Sequence, residues 1–132
     1  MPDKELKQVE ILKKYGLFSN VISFNQTIYQ NKTKKARGDG YYYKLNTVVP
    51  RVIYDYLEIC DDTIFLVEKG GTIELLAHVA PGEEGTVYHR KLNKKSRNFI
   101  IPKGLFVEDE STDYVATFIF VPSHSKVLVS FH

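Results

Sequence analysis

Basic side chains are gathered into two short clusters of the same pattern, and these residues have the type and spacing most suited to binding. The first cluster is Lys34-Lys35-Ala36-Arg37 and the second is Lys94-Lys95-Ser96-Arg97. Lysine and arginine neutralise phosphates and displace the counterions around nucleic acids, which supplies most of the non-specific affinity. Arginine also forms forked contacts with phosphates and base edges, whereas lysine acts as a point charge. The two clusters therefore predict a surface that binds nucleic acid.

The distribution of charge supports this prediction, although the net charge of the 132 residues is only +2. Residues 27–51 carry six basic side chains and one acid, a net +5, and residues 86–103 carry six basic side chains and no acid, a net +6. Residues 52–85 hold eight acids against one lysine, a net −7, and residues 104–132 hold four against one, a net −3. One lysine-rich loop is more often only a solvated surface, but recurrence of the pattern favours binding.

The same order of elements surrounds both clusters and indicates an internal repeat of about 50 residues. Thr27-Ile28-Tyr29 precedes the first cluster and Thr86-Val87-Tyr88 precedes the second, while NTVVPR (46–51) and NFIIPK (98–103) follow them. Each copy then continues through a short helical segment and an aspartate to two hydrophobic runs, and an insertion of about seven residues lengthens the first copy. We predict a single domain over 1–132, with a helical extension over 1–20, a first repeat over 21–79, a linker over 80–85 and a second repeat over 86–132.

Apolar spacing, together with glycine and proline positions, predicts the individual elements. They are a helix from Asp3 to about Gly16, strands over 20–30 and 41–50, a flexible basic loop over 31–40, a two-turn helix over 51–58, strands over 64–67 and 72–76 joined by a Lys69-Gly70-Gly71 turn, about one helical turn after Pro102, and strands over 114–121 and 126–131 joined by 122–125. We therefore expect a mainly β fold with short helices, in which the two copies interlock into one pseudo-symmetric barrel.

The remaining reactive side chains show no catalytic or metal-binding pattern. Cys60 is the single cysteine, which rules out an internal disulfide and fits a reducing cytosol. The four histidines lack metal-ligand spacing; they are His78, His89, His124 and His132. No segment has the length and apolar content of a membrane span. We predict a cytoplasmic protein (in the host cytoplasm if viral) that is not an enzyme, uses no metal or other cofactor, and has neither a small-molecule substrate nor a membrane partner.

The repeated order of asparagine, a variable position, two valines or isoleucines, proline and a basic residue, followed by a short helix, an aspartate and a hairpin, resembles the AbrB (SpoVT/AbrB-like) swapped-hairpin family. The resemblance covers roughly residues 21–76 and 86–131. Two units of that family interlace into a β-barrel that binds DNA, and here they would be tandem copies in one chain. The family's arginine before the strand is replaced by Asn46 and Asn98. The resemblance implies a double-stranded DNA-binding transcriptional regulator of prokaryotic, archaeal, viral or plasmid origin, and it allows a homodimer of pseudo-dimeric chains.

We predict that the two basic clusters carry most of the contact with duplex DNA. The expected binding residues are Lys34, Lys35, Arg37, Lys94, Lys95 and Arg97, followed by Arg51, Lys103, Arg90, Asn46 and Asn98. Asn46 and Asn98 could read adenine in a major groove, or they could be turn-forming residues at the entry of a strand. Clusters related by pseudo-twofold symmetry would match two half-sites of an imperfect palindrome.

Two alternative functions stay open at this point. In the first, the protein binds single-stranded RNA or DNA, and Tyr29, Tyr88 and the Tyr41–Tyr43 run stack on unpaired bases. In the second, it is a protein-interaction module, antitoxin-like or part of a virion, whose basic arms meet an acidic protein. Competition between duplex and single-stranded DNA separates the first alternative from the leading prediction.

Overall fold

A computed structural model describes residues 10, 13–14, 22–59, 61–105, 114–121 and 126–132. Most of the predicted N-terminal helix and the predicted turn over 122–125 lie outside these ranges. Within the ranges that are described, no helix is long and apolar enough to cross a membrane.

The described residues form nine β-strands with short helices between them, which confirms the expected mainly β fold. The first half of the chain forms β1 (Ile22–Thr27), β2 (Tyr29–Lys34), β3 (Tyr41–Val48), helix α1 (Arg51–Tyr56), β4 (Thr63–Lys69) and β5 (Thr72–Leu76). The second half forms β6 (Thr86–Lys91), β7 (Asn98–Ile100), a 3-10 helix (Lys103–Leu105), β8 (Val115–Val121) and β9 (Lys126–Phe131).

Helix α1 begins at the proline that was expected to start it. Pro50 is the N-cap residue, and its carbonyl accepts the first helical hydrogen bond from the Tyr54 N–H at 3.0 Å. Proline suits this place because it lacks the N–H that a first turn leaves unpaired. The helix buries Val52, Ile53 and Tyr56, and the Tyr56 ring meets Phe120 edge-on at 4.3 Å. The short helix thus closes one side of the core.

The turn between β4 and β5 is also the glycine hairpin turn that the sequence predicted. Gly70 and Gly71 have φ angles of 59° and 83°, and β4 and β5 pair up to Lys69 opposite Thr72. A two-residue hairpin turn requires this left-handed conformation, which glycine adopts without steric cost.

The strands that the structure describes form two antiparallel sheets and do not close into a barrel, so the barrel prediction is wrong. The larger sheet has the order β1-β8-β9-β5-β4-β6 and the smaller has the order β2-β3-β7. The chain leaves the larger sheet at Ile28, whose N–H donates to the Tyr114 carbonyl at 3.1 Å, and then enters the smaller sheet as β2. Because β2 and β7 occupy the two edges of β3, no backbone ladder joins β3 to β1.

Side chains bridge the two sheets where the ladders stop. The Thr47 hydroxyl donates to the Thr27 carbonyl at 2.9 Å, which links β3 to the end of β1. The Arg90 Nε donates to the Ile100 carbonyl at 3.0 Å, which links β6 to β7. These bonds occupy polar groups at the open sheet edges, and unpaired groups at such edges promote aggregation.

Both sheets combine strands from the two halves of the chain. Strand β1 pairs with β8, β3 with β7, β4 with β6 and β5 with β9, whereas the remaining pairs are hairpins within one half. At the centre of the smaller sheet Thr47 lies opposite Phe99. Two backbone hydrogen bonds flank this pair symmetrically. The Val49 N–H donates to the Arg97 carbonyl at 3.0 Å, and the Ile101 N–H donates to the Leu45 carbonyl at 2.8 Å.

The first four residues of the basic segment over 31–40 form a strand, so the predicted loop is shorter than expected. Asn31–Lys34 belongs to β2 and pairs with the beginning of β3, so that only residues 35–40 form the connection. The polar pattern misled the prediction because every residue of β2 is exposed or half-buried, so that no apolar face marks it as a strand. The Ile28 N–H donates to the Tyr114 carbonyl, and the Leu92 N–H donates to the Asp62 carbonyl. Each residue thus bonds to the other half of the chain, so Ile28 and Leu92 occupy corresponding places in the two repeats. The hairpin between Ile28 and Asn46 is therefore the insertion, and it is longer than predicted.

The core lies between the inner face of the larger sheet, the smaller sheet and α1. Its fully buried side chains include Phe99, Phe118, Phe120, Ile53, Ile64, Leu66, Leu75, Val49 and Val127. Strand β8 shows the strict alternation of buried and half-buried positions that a one-sided strand requires. This core fixes the smaller sheet, and the smaller sheet positions both basic clusters.

Candidate nucleic-acid interface

The first basic cluster lies at the end of a two-stranded β-ribbon, which we define as residues 30–45. Strand β7 pairs only with residues 46–48 of β3, so that the ribbon extends beyond the three-stranded part of the sheet. It carries five basic side chains and Asp39, a net +4. Four of the basic residues are exposed; they are Lys32, Lys34, Lys35 and Arg37.

The tip of the ribbon is a short turn that needs glycine. The Lys35 N–H donates to the Gly40 carbonyl at 3.1 Å and closes the tip. Gly38 and Gly40 have φ angles of 77° and 108°, in the region that favours glycine. From Leu45 to Tyr41 the ribbon is about 14 Å long at about 3.4 Å per residue, before the tip is added. It therefore presents its cations well away from the core.

The second basic cluster lies in a tight turn between β6 and β7, which we call the turn cluster (Lys94, Lys95 and Arg97). Asn93 organises this turn, because its side-chain Oδ1 accepts from the N–H groups of Lys95 and Ser96 at 2.9 and 3.1 Å. Its backbone carbonyl accepts from the Arg97 N–H at 2.8 Å. An asparagine that bonds its own backbone in this way is typical of turns, so Lys94 and Lys95 are exposed in a fixed loop.

Arg97 is held more firmly than its sequence pattern suggested. It has a φ angle of 58°, unusual for a non-glycine residue, and its Nε donates to the Val49 carbonyl at 3.2 Å. The side chain is half-buried. Its first role is therefore to fasten the turn to the end of β3, and only the remaining N–H groups of its guanidinium can face a ligand.

The two clusters lie at opposite ends of the smaller sheet. The ribbon tip follows Lys34, which pairs with Tyr41 at the start of β3. The turn cluster precedes Asn98, which pairs with Val48 at the end of β3. Seven residue steps separate Tyr41 from Val48, about 24 Å at about 3.4 Å per residue. One cluster is a projecting ribbon and the other a compact turn, so they are not equivalent surfaces.

Asn46 and Asn98, the proposed readers of adenine, are joined to each other. The Asn98 Nδ2 donates to the Asn46 Oδ1 at 3.0 Å. Asn46 is only 6% exposed and lies within β3, away from any strand entry. The bond uses groups that a base contact would need, so the pair serves to join β3 to β7.

The other predicted site residues are distributed around the sheet and partly engaged. Arg51 forms an ion pair with Asp55 one helical turn away, at 3.4 Å. Arg90 is occupied by the carbonyls of Ile100 and His89, at 3.0 and 2.9 Å. Lys103 is exposed and its ammonium lies 5.4 Å from the centre of the Tyr42 ring.

The exposed cations of the ribbon and turn keep their charge available. Among the residues that the structure describes, the ion pairs found are Arg51–Asp55 and Lys69–Glu84, and neither involves these clusters. The turn cluster, however, borders a cleft of about 190 Å³ lined by Asp61, Asp62, Lys91, Leu92 and Lys94. Its two carboxylates weaken the positive potential beside the turn, so the ribbon is the stronger electropositive surface.

The same cleft adjoins a hydrogen bond from the Tyr54 hydroxyl to the Asp62 Oδ1 at 3.0 Å. This bond to Asp62, together with burial, raises the pKa of Tyr54. Across the described ranges, no group of three or more histidine, cysteine, aspartate or glutamate side chains is arranged to hold a metal ion.

Sequence reasoning missed how several residues of this surface are placed. Exposed Lys32 and half-buried Lys44 add to the ribbon, and the strand position of Lys32 was hidden because 31–40 read as a loop. Ile100 is 44% exposed, although it sits in an apolar run that indicated core. Tyr88, a candidate for base stacking, packs against the core instead.

Compared with protein-family models, curated proteins and solved structures, the chain matches none of them. The AbrB-like resemblance and the regulatory role therefore stay predictions.

Proposed function

We propose that this protein binds double-stranded DNA by inserting the ribbon into a groove and by placing the turn cluster against the phosphate backbone. The observation that carries the proposal is the ribbon itself, a two-stranded extension with a net charge of +4. The major groove of B-DNA, about 12 Å wide and about 8.5 Å deep, admits a two-stranded ribbon. At about 14 Å before its tip, the ribbon is long enough to reach the floor of that groove.

The number of exposed cations sets the expected strength of the interaction. Lys32, Lys34, Lys35 and Arg37 on the ribbon and Lys94 and Lys95 on the turn are all exposed. If each neutralises one phosphate, the logarithm of affinity should fall with the logarithm of salt concentration with a slope of about −5.4. Affinity should then drop about 10³-fold between about 50 and 200 mM salt.

The strand pairing supports the swapped-hairpin relationship that the sequence suggested, and with it a role in transcriptional regulation. In a swapped pair of repeats each half completes the other, and here four of the strand pairings join the two halves. The asymmetry of the basic clusters changes one expectation. Since the clusters are at opposite ends of one sheet and differ in shape, we expect one continuous footprint on DNA instead of two palindromic half-sites.

A comparison of two doubly substituted proteins tests groove insertion. K34A/K35A removes two exposed charges from the ribbon, whereas K69A/K126A removes two exposed charges from the larger sheet. The ribbon variant should reduce the steepness of the salt dependence by about 1.8, and the control should leave it unchanged. Fluorescence anisotropy with a labelled duplex measures both. Equal slopes in the two variants would refute a role for the ribbon.

A further inference from the structure

The smaller sheet has a solvent-facing side, and the duplex proposal uses only the part of it that belongs to the ribbon. Leu45, Thr47 and Phe99 face the core. Strand alternation places the neighbouring residues on the other side, which we call the outer face. Cross-strand pairing arranges its side chains in rows: Thr33 with Tyr42, Asn31 with Lys44, Tyr29 with Asn46 and Ile100, and Val48 with Asn98.

The outer face exposes aromatic and apolar groups side by side. Tyr29 is 54% exposed and Ile100 is 44% exposed, and they flank the buried Asn46 in one row. Tyr42, which is half-buried, lies two rows further along, about 14 Å from that row at about 3.4 Å per residue. Exposed aromatic platforms along a sheet are the surfaces on which unpaired bases stack.

Two lysine side chains lie beside the Tyr42 ring. The ammonium groups of Lys44 and Lys103 lie 5.9 and 5.4 Å from the centre of the Tyr42 ring. Lys44 belongs to the row between Tyr42 and Tyr29. None of the nine residues in the four rows is acidic. The face therefore combines stacking surfaces with positive charge, the pair of features that single-stranded nucleic acid requires.

We propose that the outer face holds the unpaired strand at a junction between duplex and single-stranded DNA. Tyr29 and Tyr42 stack on bases, and Lys44 and Lys103 contact the phosphates between them. This inference rests on the proposed duplex binding, because the rows of Tyr42 and Lys44 belong to the ribbon and the row of Tyr29 lies directly beside it. A base pair inside a duplex does not offer its flat face to a tyrosine, so the platforms act only where the strands separate.

The test compares a tailed with a blunt DNA. The tailed probe is a duplex of about 20 base pairs with a single-stranded tail of about eight thymines, within the usual site sizes; the blunt probe lacks the tail. Tyr29→Ala and Tyr42→Ala remove the two platforms. Tyr41→Ala is the matched control, since Tyr41 is 57% exposed and has Lys32 at 4.5 Å from its ring centre, but lies on the opposite face of the ribbon.

The wild-type protein should bind the tailed probe more tightly than the blunt one. Tyr29→Ala should weaken binding of the tailed probe between about 5- and 150-fold, the loss typical for one stacked base, and should leave the blunt probe unaffected. Equal affinity for both probes, or a loss in Tyr41→Ala that is confined to the tailed probe and as large as that in Tyr29→Ala, would overturn the inference. Binding of the blunt duplex without a tail preference would leave the duplex proposal standing alone. Tail-dependent binding without blunt binding would refute the duplex proposal and leave the outer face as a single-strand site.

Discussion

The hydrogen bond between Asn46 and Asn98 predicts that these residues stabilise the fold and do not select a DNA sequence. Asn98→Ala leaves the Oδ1 of Asn46 without its donor in a side chain that is 6% exposed. An unsatisfied buried acceptor costs about 1–3 kcal/mol in the free energy of unfolding. Asn46→Ala leaves the Asn98 amide, which is half-buried and can be hydrated, so its cost should be nearer to about 1 kcal/mol.

Urea denaturation of the two single variants and the double variant gives the coupling between these side chains. The double variant should lose less stability than the sum of the single losses, by about 0.5–1.5 kcal/mol, because the bond can be lost only once. Each kcal/mol should lower the melting temperature by about 3–5 °C in a chain of this size. Strictly additive losses, or a changed preference among duplex sequences in Asn98→Ala at unchanged stability, would refute this reasoning.

Three further changes test the packing around the site. Gly104→Ala would place a Cβ 2.5 Å from the Tyr88 hydroxyl oxygen, so it should lower the urea midpoint, and adding Tyr88→Phe should restore part of the loss. Arg90→Ala breaks a bond that links β6 to β7 and should cost about 1 kcal/mol in urea denaturation, while the salt slope of DNA binding stays unchanged. The bond to Asp62 raises the pKa of Tyr54, so the folded state favours the neutral phenol. The contribution of this bond to the free energy of unfolding is present below the usual pKa of 10.0 and is lost as pH rises through the raised pKa. Tyr54→Phe should remove that part of the alkaline loss of stability, measured as urea midpoints at increasing pH.

The local elements of this fold could be predicted because their signals are short-range. Pro50 fixes the start of α1, and Gly70-Gly71 supplies the positive φ angles of a two-residue hairpin turn. Both depend on intrinsic backbone preferences that do not need the rest of the chain. The mainly β character likewise follows from alternating apolar residues.

The division into two open sheets and the ribbon could not be predicted, because both depend on which strand edges meet. The change of sheet at Ile28 is set by its bond to Tyr114, a residue far along the chain. Residues 31–34 have the polar composition of a loop, yet they pair with β3 because the hairpin needs no buried face when its backbone bonds are satisfied. A pattern method that looks for one apolar face misses such a strand.

The candidate site was only partly visible in the sequence. The composition of the two clusters indicated exposed positive charge, and Lys34, Lys35, Lys94 and Lys95 are exposed. Their different shapes were hidden because two tetrapeptides of the same Lys-Lys-x-Arg pattern suggested equivalent positions. The role of Asn93, which fixes the turn cluster, was equally hidden, since a side chain that bonds its own backbone leaves no long-range pattern.

The salt dependence of duplex binding by the unmodified protein tests the central claim most directly. A labelled random duplex is titrated by fluorescence anisotropy at several salt concentrations between about 50 and 200 mM. Groove insertion of the ribbon with backbone contacts from the turn predicts a slope of about −5.4 in the logarithmic plot. No binding at the lowest salt concentration, or an affinity that does not change with salt, would contradict the claim that this basic surface binds DNA.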